Sequence, residues 1–324
     1  MQALQFTEFG KPEEVLQVQD LELPELTGNE VRLKILASPV NPADLNFVEG
    51  TYGVKPELPS VPGVEACGEV VESRSPDFEP GDRCIFLKRA DLWASHAQVP
   101  ASHLFKLPPG IDPQQAAMLK VNPATAWRLL HGFADLPRGS WIIQNAANSG
   151  VGHCVIQLAK SLGVRTINLV RRTDLIPQLV LAGADQVLVD DAEVVDSVRA
   201  ICGALPPLLA FNCVGGDSAL RQLKCLAEGG TQITYGAMAR KPLAVPNGLL
   251  IFKDIRMVGL WVSRWLEVAP REEIEETYSR LADVMNSGDL HIPIDSTFNL
   301  GEFKKAHARL SDPARSGKVL LVPS

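Results

Sequence analysis

The chain has 324 residues, 46% of them apolar and 21% charged, with a formal net charge of −7. That length allows two domains with sizeable cores, and the acidic balance argues against a general nucleic-acid binder. No apolar run reaches the roughly 18–20 residues that a membrane helix needs.

The chain opens on MQALQFTEFG, neither a basic-plus-apolar signal nor an Arg-rich transit peptide. From there to about residue 110 the β-rich runs 31–37, 69–72 and 84–87 are short. Pro59, Pro62, Gly63, Pro80 and Gly81 punctuate them, and Glu79-Pro80-Gly81-Asp82-Arg83 reads as a tight turn into a strand. The pattern predicts a compact, mostly β, barrel-type domain. Two stretches stand out within it. One is Asn41-Pro42-Ala43-Asp44-Leu45-Asn46 followed by Glu49-Gly50-Thr51-Tyr52; the other runs from Leu58 through Gly63-Val64-Glu65 to Val70. The composition changes at Pro108-Pro109-Gly110. Asp112 then caps a helix to 118 with Pro113 at its first position, and Asn122-Pro123-Ala124-Thr125-Ala126-Trp127 opens another toward Gly132.

The stretch 141–172 sets the architecture of the second half. A short apolar run at 141–143 reads as a buried strand, Ala146 to Gly152 make a small-residue turn, and Val155, Leu158, Ala159 and Leu162 recur at helical spacing. A β-branched run at 166–170 completes a strand–turn–helix–strand unit of the dinucleotide-binding kind. Small residues let backbone approach a pyrophosphate, which the free N–H groups at the helix start bind. Ala147 and Ser149 stand where G-x-G-x-x-G has its first two glycines, Gly152 holds the third place and Gly150 is extra. Small-residue turns also serve as plain packing devices, so the residues that close the second strand carry weight. Where an NAD site has an Asp or Glu at that strand's end, this chain has Arg171 and Arg172. Two guanidiniums suit a 2′-phosphate, which favours NADPH over NADH.

Strands at 186–189, 208–214, 230–236 and 255–262 alternate with helices at 194–202 and 218–226. The alternation predicts an α/β, doubly wound parallel sheet. Its ligands would collect at the strand C-terminal ends: 146–152, 171–173, 214–216 and 235–238. An amphipathic helix at 271–286 carries Ile274, Tyr278, Leu281 and Met285. Strand 292–298, helix 303–310 and strand 318–322 then return to the N-terminal domain. No repeat or low-complexity segment is present.

Taken together, NPADLN, VPGVEACGEV, EPGDR, NPATAW, SGVG and SGKVLLV resemble, in order and over nearly the whole chain, the landmarks of the medium-chain dehydrogenase/reductase superfamily. The resemblance implies a Rossmann cofactor domain at 118–265 and a mostly β, GroES-like catalytic domain at 1–117 and 266–324. Zinc-dependent members carry a Cys in the first segment and Gly-His-Glu in the second; Asn41 and Gly63-Val64-Glu65 stand there in this chain, which implies a metal-free reductase. WIIQNAANSGVG, VIQLAK, TINLVRR, LKVNPATAW and GLWVSRW are similar to the mitochondrial-type trans-2-enoyl-thioester reductases. That resemblance implies a homodimer that uses NADPH to reduce the 2,3-double bond of an enoyl-CoA or enoyl-ACP. It places the catalytic tyrosine at Tyr52. It places cofactor contacts at Asn122, Asn148, Ser149, Gly150, Val151, Arg171, Arg172, Thr173, Tyr235, Gly236, Ala237, Met238, Leu260, Trp261, Val262, Ser263 and Lys318. The family commonly reads Arg-x-Arg after the second strand; here the arginines are adjacent and Thr173 follows, with one residue fewer.

In such a reaction hydride goes to the β-carbon, an enolate develops on the thioester oxygen, and the α-carbon takes a proton. A neutral phenol aimed at that oxygen suits the task without a metal. From its spacing alone Tyr52 reads first as a loop aromatic covering the barrel edge, and the resemblance reverses that order. Tyr235 ends a strand at the cofactor edge and reads as a binding residue; Tyr278 reads as core. Trp261 and Trp265 wall an acyl pocket or pack at a seam, Asp44 caps its turn, and Cys154 is a small core residue. The six cysteines, at 67, 84, 154, 202, 213 and 225, include no C-x-x-C pair, and the six histidines form no ligand spacing. The reading is a reduced, cytoplasmic enzyme. Its alternatives are a zinc-free quinone or small-enone reductase, and an NADPH-binding protein without turnover.

Overall fold

The computed structural model describes residues 1–323. Its strands are β1 (Gln2–Gln5), β2 (Gln17–Asp20), β3 (Glu30–Pro39), β4 (Cys67–Ser73), β5 (Arg83–Phe86), β6 (His96–Pro100), β7 (Leu104–Lys106), β8 (Trp141–Gln144), β9 (Arg165–Val170), β10 (Gln186–Val189), β11 (Leu209–Asn212), β12 (Thr231–Thr234), β13 (Arg256–Gly259), β14 (Ile294–Phe298) and β15 (Lys318–Leu321). The chain divides into two compact units, Met1–Val121 with Trp265–Ser324, and Asn122–Arg264.

The first unit is mostly β. Its sheet runs β14-β15-β3-β4-β5-β7, with β6 also paired to β3, and β1 and β2 form a separate antiparallel pair. On β3, Val31, Leu33, Ile35 and Ala37 are fully buried. This period-2 alternation lays one face of the strand onto a core shared with Val70, Phe86, Leu92 and Leu104. The NPADLN motif forms the helix Pro42–Val48: Pro42 at its first position has no N–H to lose, and Asp44 accepts from the Asn41 N–H at 3.0 Å. The capping role expected for Asp44 is thus present. Helices Arg271–Asn286 and Phe303–Leu310 and strand β15 complete the unit. Tyr278 is fully buried, its hydroxyl donating to Lys120 O at 2.9 Å. Trp265 is buried, with its Nε1 donating to Glu273 at 2.9 Å and its ring 6.3 Å from that of Tyr278, which favours the packing role for this tryptophan.

The second unit holds six parallel strands in the order β10-β9-β8-β11-β12-β13. β8 and β11 are buried at every position, as strands of a parallel sheet covered on both faces must be. Ile143, Ile167 and Leu169 pack with Val194, Val198 and Leu223 of two crossover helices, Val194–Cys202 and Gly216–Cys225. Ala147 and Val170 join Ile156 and Leu179 in a second cluster.

Several boundaries differ from expectation, two of them at the strand ends that matter here. β11 stops at Asn212 because that side chain turns on its own loop: Oδ1 accepts from Val214 N at 3.2 Å and Gly215 N at 3.0 Å. β13 ends at Gly259, and a helix, Val262–Val268, begins inside the run expected to be strand. The apolar run at 248–252 lies in a helix, Asn247–Lys253, whose Ile251 and Phe252 are exposed.

Candidate active site

In the second unit the small-residue turn joins β8 to the helix Gly150–Leu162. Ser149 caps that helix by accepting from Gly152 N at 3.2 Å. Gly152 is there because the backbone of Ala147 passes so close that a Cβ would sit 2.3 Å from its carbonyl oxygen. At Gly150 a Cβ would sit 2.8 Å from Asn122 Nδ2. The first N–H groups of the helix have no intrahelical acceptor, and its dipole adds a partial positive charge.

Polar groups beside this turn are unsatisfied. Among the described residues, Asn122 Nδ2, the Tyr235 hydroxyl and Gln144 Oε1 are buried with no hydrogen-bond partner. Ser149 and Cys213 neighbour the phenol, and burial holds its pKa well above the ordinary value. Orphan buried donors are costly to fold around, and here the amide and the phenol both border a turn with a helix start. Arg171 and Arg172 leave β9 exposed, with Arg172 Nε 3.1 Å from Asp174. This donor set fits a phosphorylated dinucleotide: free N–H groups for a pyrophosphate, two guanidiniums for a further phosphate, and an amide and a phenol in need of acceptors.

A buried polar network fixes the strand ends around the turn. Asn145 Nδ2 donates to Asn212 Oδ1 and to Ser218 Oγ, each at 2.9 Å, and Asn145 Oδ1 accepts from Cys213 N at 2.9 Å. The segment after β12 follows that edge, with Tyr235 N on Asn212 O and Met238 N on Cys213 O. Asn122, Asn148, Ser149, Gly150, Val151 and Tyr235, Gly236, Ala237, Met238 are thus collected at strand ends, and Leu260 joins them by donating its N–H to Thr234 O at 3.0 Å. Of the residues that follow, Trp261 is 40% exposed and Val262, the first residue of the helix Val262–Val268, is buried.

In the first unit Asn41, Asp44, Glu65, Lys120 and Lys318 form a buried charged cluster. Glu65 Oε1 accepts from Asn41 Nδ2 at 2.8 Å and Oε2 from Val121 N at 2.8 Å. Lys318 donates to Asn41 Oδ1 and to Val40 O, the latter at 3.4 Å. Lys120 Nζ donates to Val64 O at 2.7 Å and Lys88 O at 3.1 Å. Asp44 Oδ1 takes the Val64 N–H at 2.8 Å. Burial pushes Glu65 up to about 7 and Asp44 up to about 6, and pushes Lys120 down to about 7. Sequence reasoning missed Lys120, which carries no signal beyond standing in LKVNPATAW. Two ammonium groups and an amide among these carboxylates do not suit a zinc ion, which is held by thiolates, imidazoles and carboxylates. Among the described residues no three His, Cys, Asp or Glu side chains converge to hold a metal.

Tyr52 lies in the same unit, just after the helix Pro42–Val48. It packs on a cluster containing Phe47, Val48 and Trp93, and its N–H donates to Asn46 O at 3.0 Å. Burial holds the Cys67, Cys84 and Cys225 thiols at about 12 and Cys213 at about 11, so none of the four is a thiolate nucleophile at neutral pH.

A mostly β unit fused to a parallel dinucleotide-type sheet, with a tyrosine on the first and a phosphate-ready turn on the second, defines a two-domain nicotinamide-type reductase. Two families match the chain: "Alcohol dehydrogenase GroES-like domain" over residues 27–109 and "Zinc-binding dehydrogenase" over residues 150–283. The human mitochondrial enoyl-[acyl-carrier-protein] reductase is 39% identical over 99% of this chain and 88% of its own length. Among solved structures, a putative NADPH:quinone reductase from Bacillus thuringiensis has a TM-score of 0.92 at 25% identity, covering 100% of this chain and 99% of its own. Etr1p of Candida tropicalis in complex with NADP and crotonyl-CoA has 0.90 at 28%, covering 99% of each; Etr1p also occurs in a heterodimer with Etr2p. The chain belongs to the mitochondrial-type enoyl-[acyl-carrier-protein] reductase family, within the medium-chain dehydrogenase/reductase superfamily.

Proposed function

We propose that this protein reduces the 2,3-double bond of trans-2-enoyl thioesters, enoyl-CoA or enoyl-ACP, with NADPH. The observation that carries the reading is the relation to enoyl thioester reductases across both units, with Tyr52 standing beyond its NPADLN helix. Bound NADPH supplies the hydride; the protein's share is binding and charge stabilisation. The turn 146–152 and the N–H groups of the following helix take the pyrophosphate. Arg171 and Arg172, with Thr173 beside them, take the 2′-phosphate. Asn122, Tyr235 and the 260–263 segment hold the remainder. Lys318 acts from its place on Asn41, ordering the charged cluster. When a C–H bond forms at the β-carbon, the π electrons of the double bond move to the thioester oxygen, and the Tyr52 hydroxyl donates to that oxygen as its charge grows. Proton transfer to the α-carbon restores the carbonyl.

NADPH oxidation is to be measured with a short trans-2-enoyl-CoA beside a quinone and a free enone. The expected result is at least a roughly tenfold preference for the thioester in kcat/KM. Tyr52→Phe is expected to lower kcat about 10²–10³-fold, the usual loss for one oxyanion donor, with NADPH affinity nearly unchanged. A second reading, a quinone reductase, is favoured by the Bacillus thuringiensis structure. Preference for the quinone, with full activity in Tyr52→Phe, would establish it.

Six free cysteines suit a reducing compartment, and we place the protein in the cytoplasm, whereas its relatives are named as mitochondrial. No helix among the described residues is long and apolar enough to cross a membrane. The exposed apolar side chains of Asn247–Lys253 beside the edge strand β13 support a homodimer.

A further inference from the structure

Arg89 takes no part in the chemistry proposed above, and its surroundings are unusual for an arginine. It sits in the turn 88–91, whose flanks are anchored: Leu87, Leu92 and Trp93 are buried. Leu87 N donates to His103 O at 2.7 Å and Trp93 N to Pro62 O at 2.9 Å. Lys88 is tied down as well, donating to Leu266 O at 2.7 Å. From this fixed turn the half-buried Arg89 side chain reaches the helix Pro42–Val48 and the loop behind it. Its guanidinium carbon lies 4.4 Å from the ring centroid of Phe47 and 5.5 Å from that of Tyr52.

What it lacks is a counter-ion. Asp44 senses its charge, but both Asp44 oxygens are taken by backbone N–H groups, those of Asn41 and Val64. Asp91, two residues on, makes no ion pair with it, and the other charges of this region, Lys88, Lys120, Glu65 and Lys318, are bonded elsewhere. Arg89 makes no hydrogen bond or ion pair within the described residues. A half-buried guanidinium normally finds a carboxylate or carbonyls for its planar fork of donors. Here it is held by aromatic faces with its planar fork of donors unbonded, while Asp44 and Asp91 are near enough to feel its charge.

We propose that Arg89 is a positioning residue for Tyr52. Stacked on the phenol and on Phe47, its guanidinium holds the tyrosine ring in place and so keeps the Tyr52 hydroxyl aimed at the enolate oxygen as that oxygen becomes negative. The proposal rests on the reading of Tyr52 as the thioester's hydrogen-bond donor. It adds a group on a different segment, joined to Tyr52 by the fold alone.

The test uses the full-length enzyme with a short trans-2-enoyl-CoA and four variants: Arg89→Met, which keeps the stem and loses the charge, Arg89→Lys, Tyr52→Phe and the double variant Tyr52→Phe/Arg89→Met. Arg89→Met is expected to lower kcat about tenfold or more, the scale of one desolvated cation–π contact, with thioester KM and NADPH Kd within about threefold of wild type. Arg89→Lys recovers most of the loss. Because Arg89 acts through Tyr52, the double variant is expected within about twofold of Tyr52→Phe alone. Wild-type kcat in Arg89→Met overturns the proposal. So does a loss that Lys does not rescue, or that multiplies undiminished onto Tyr52→Phe. If Tyr52→Phe itself keeps full activity, it is the reading of Tyr52 that fails; if Tyr52→Phe is slow and Arg89→Met is not, Arg89 alone is at fault.

Discussion

Arg171 and Arg172 emerge from the last buried residue of β9 straight into solvent, so their charges cost little to keep and are open to a ligand. The Arg172–Asp174 pair at 3.1 Å is exposed on both sides. Such pairs contribute little, and an incoming phosphate displaces it easily. Replacing both arginines by Ala is expected to raise the Kd for NADPH about 10–100-fold. That is the range for losing charge-assisted hydrogen bonds of about 1.5–3 kcal/mol. NADH should change by less than about threefold. Nucleotide fluorescence titration decides it, and equal weakening of both cofactors would reassign the pair to loop support. This feature is legible in the sequence because it is local: strand, end and charge lie within a few residues. Arg89 is not, because its turn meets Tyr52 only through the packing of Phe47 and Trp93. Lys120 is equally hidden, its ammonium being placed by carbonyls of Val64 and Lys88 far away in the chain.

Several elements meet at Glu65. It precedes β4, grips Asn41 after β3, and through Asn41 reaches Lys318 at the start of β15, while its other oxygen holds Val121 N. Burial raises its folded pKa from the ordinary value of 4.5 to about 7. Between those two values the unfolded chain releases a proton that the folded chain keeps, so the contribution of Glu65 is full below 4.5 and is lost as pH rises toward 7. Asp44, raised to about 6, acts in the same sense; Lys120, lowered to about 7, acts oppositely and above that range, its contribution being lost as pH falls from 10.5 to 7. Glu65→Gln removes one of these slopes. Measured by thermal unfolding from pH 4.5 to 7, the stability of the variant relative to wild type is expected to rise with pH, on top of a constant loss of about 1–3 kcal/mol for the mismatched Val121 N–H. A pH-independent difference would show that Glu65 is ionised throughout. Only part of this cluster is visible in the sequence. Asp44 announces itself as a cap three residues after Asn41, whereas the pairing of Asn41 with Glu65 and Lys318 depends on which strands neighbour β3. Helix periodicity marks 194–202, 271–286 and 303–310 to the residue. It fails at Asn247–Lys253, a helix of 7 residues, too short to show an amphipathic repeat.

At the scale of the molecule the question is what covers β13. It is the last strand of the six-stranded sheet, so one side of its backbone has no partner strand among the described residues, and an open edge of this kind invites pairing. Beside it the helix Asn247–Lys253 exposes Leu250 at 41%, Ile251 at 68% and Phe252 at 83%, and Val258 on the strand itself is 40% exposed. Apolar side chains grouped on one rim mark an association surface. We propose that a second copy related by a two-fold axis covers it; β13 would then lie antiparallel to itself and join two six-stranded sheets, each protomer offering the same patch. The protein is therefore expected to run at twice its monomer mass in light scattering at micromolar concentration. Phe252→Glu combined with Ile251→Lys puts charges into the centre of that patch and is expected to weaken dimerisation by about 100-fold or more, the scale of desolvating two unpaired charges. Both units of the variant keep their cores, since neither residue is buried, so NADPH binding measured on the monomer separates the interface from the fold. If wild type is already monomeric, the exposed rim has another occupant; if the variant stays dimeric, the two-fold runs through a different face.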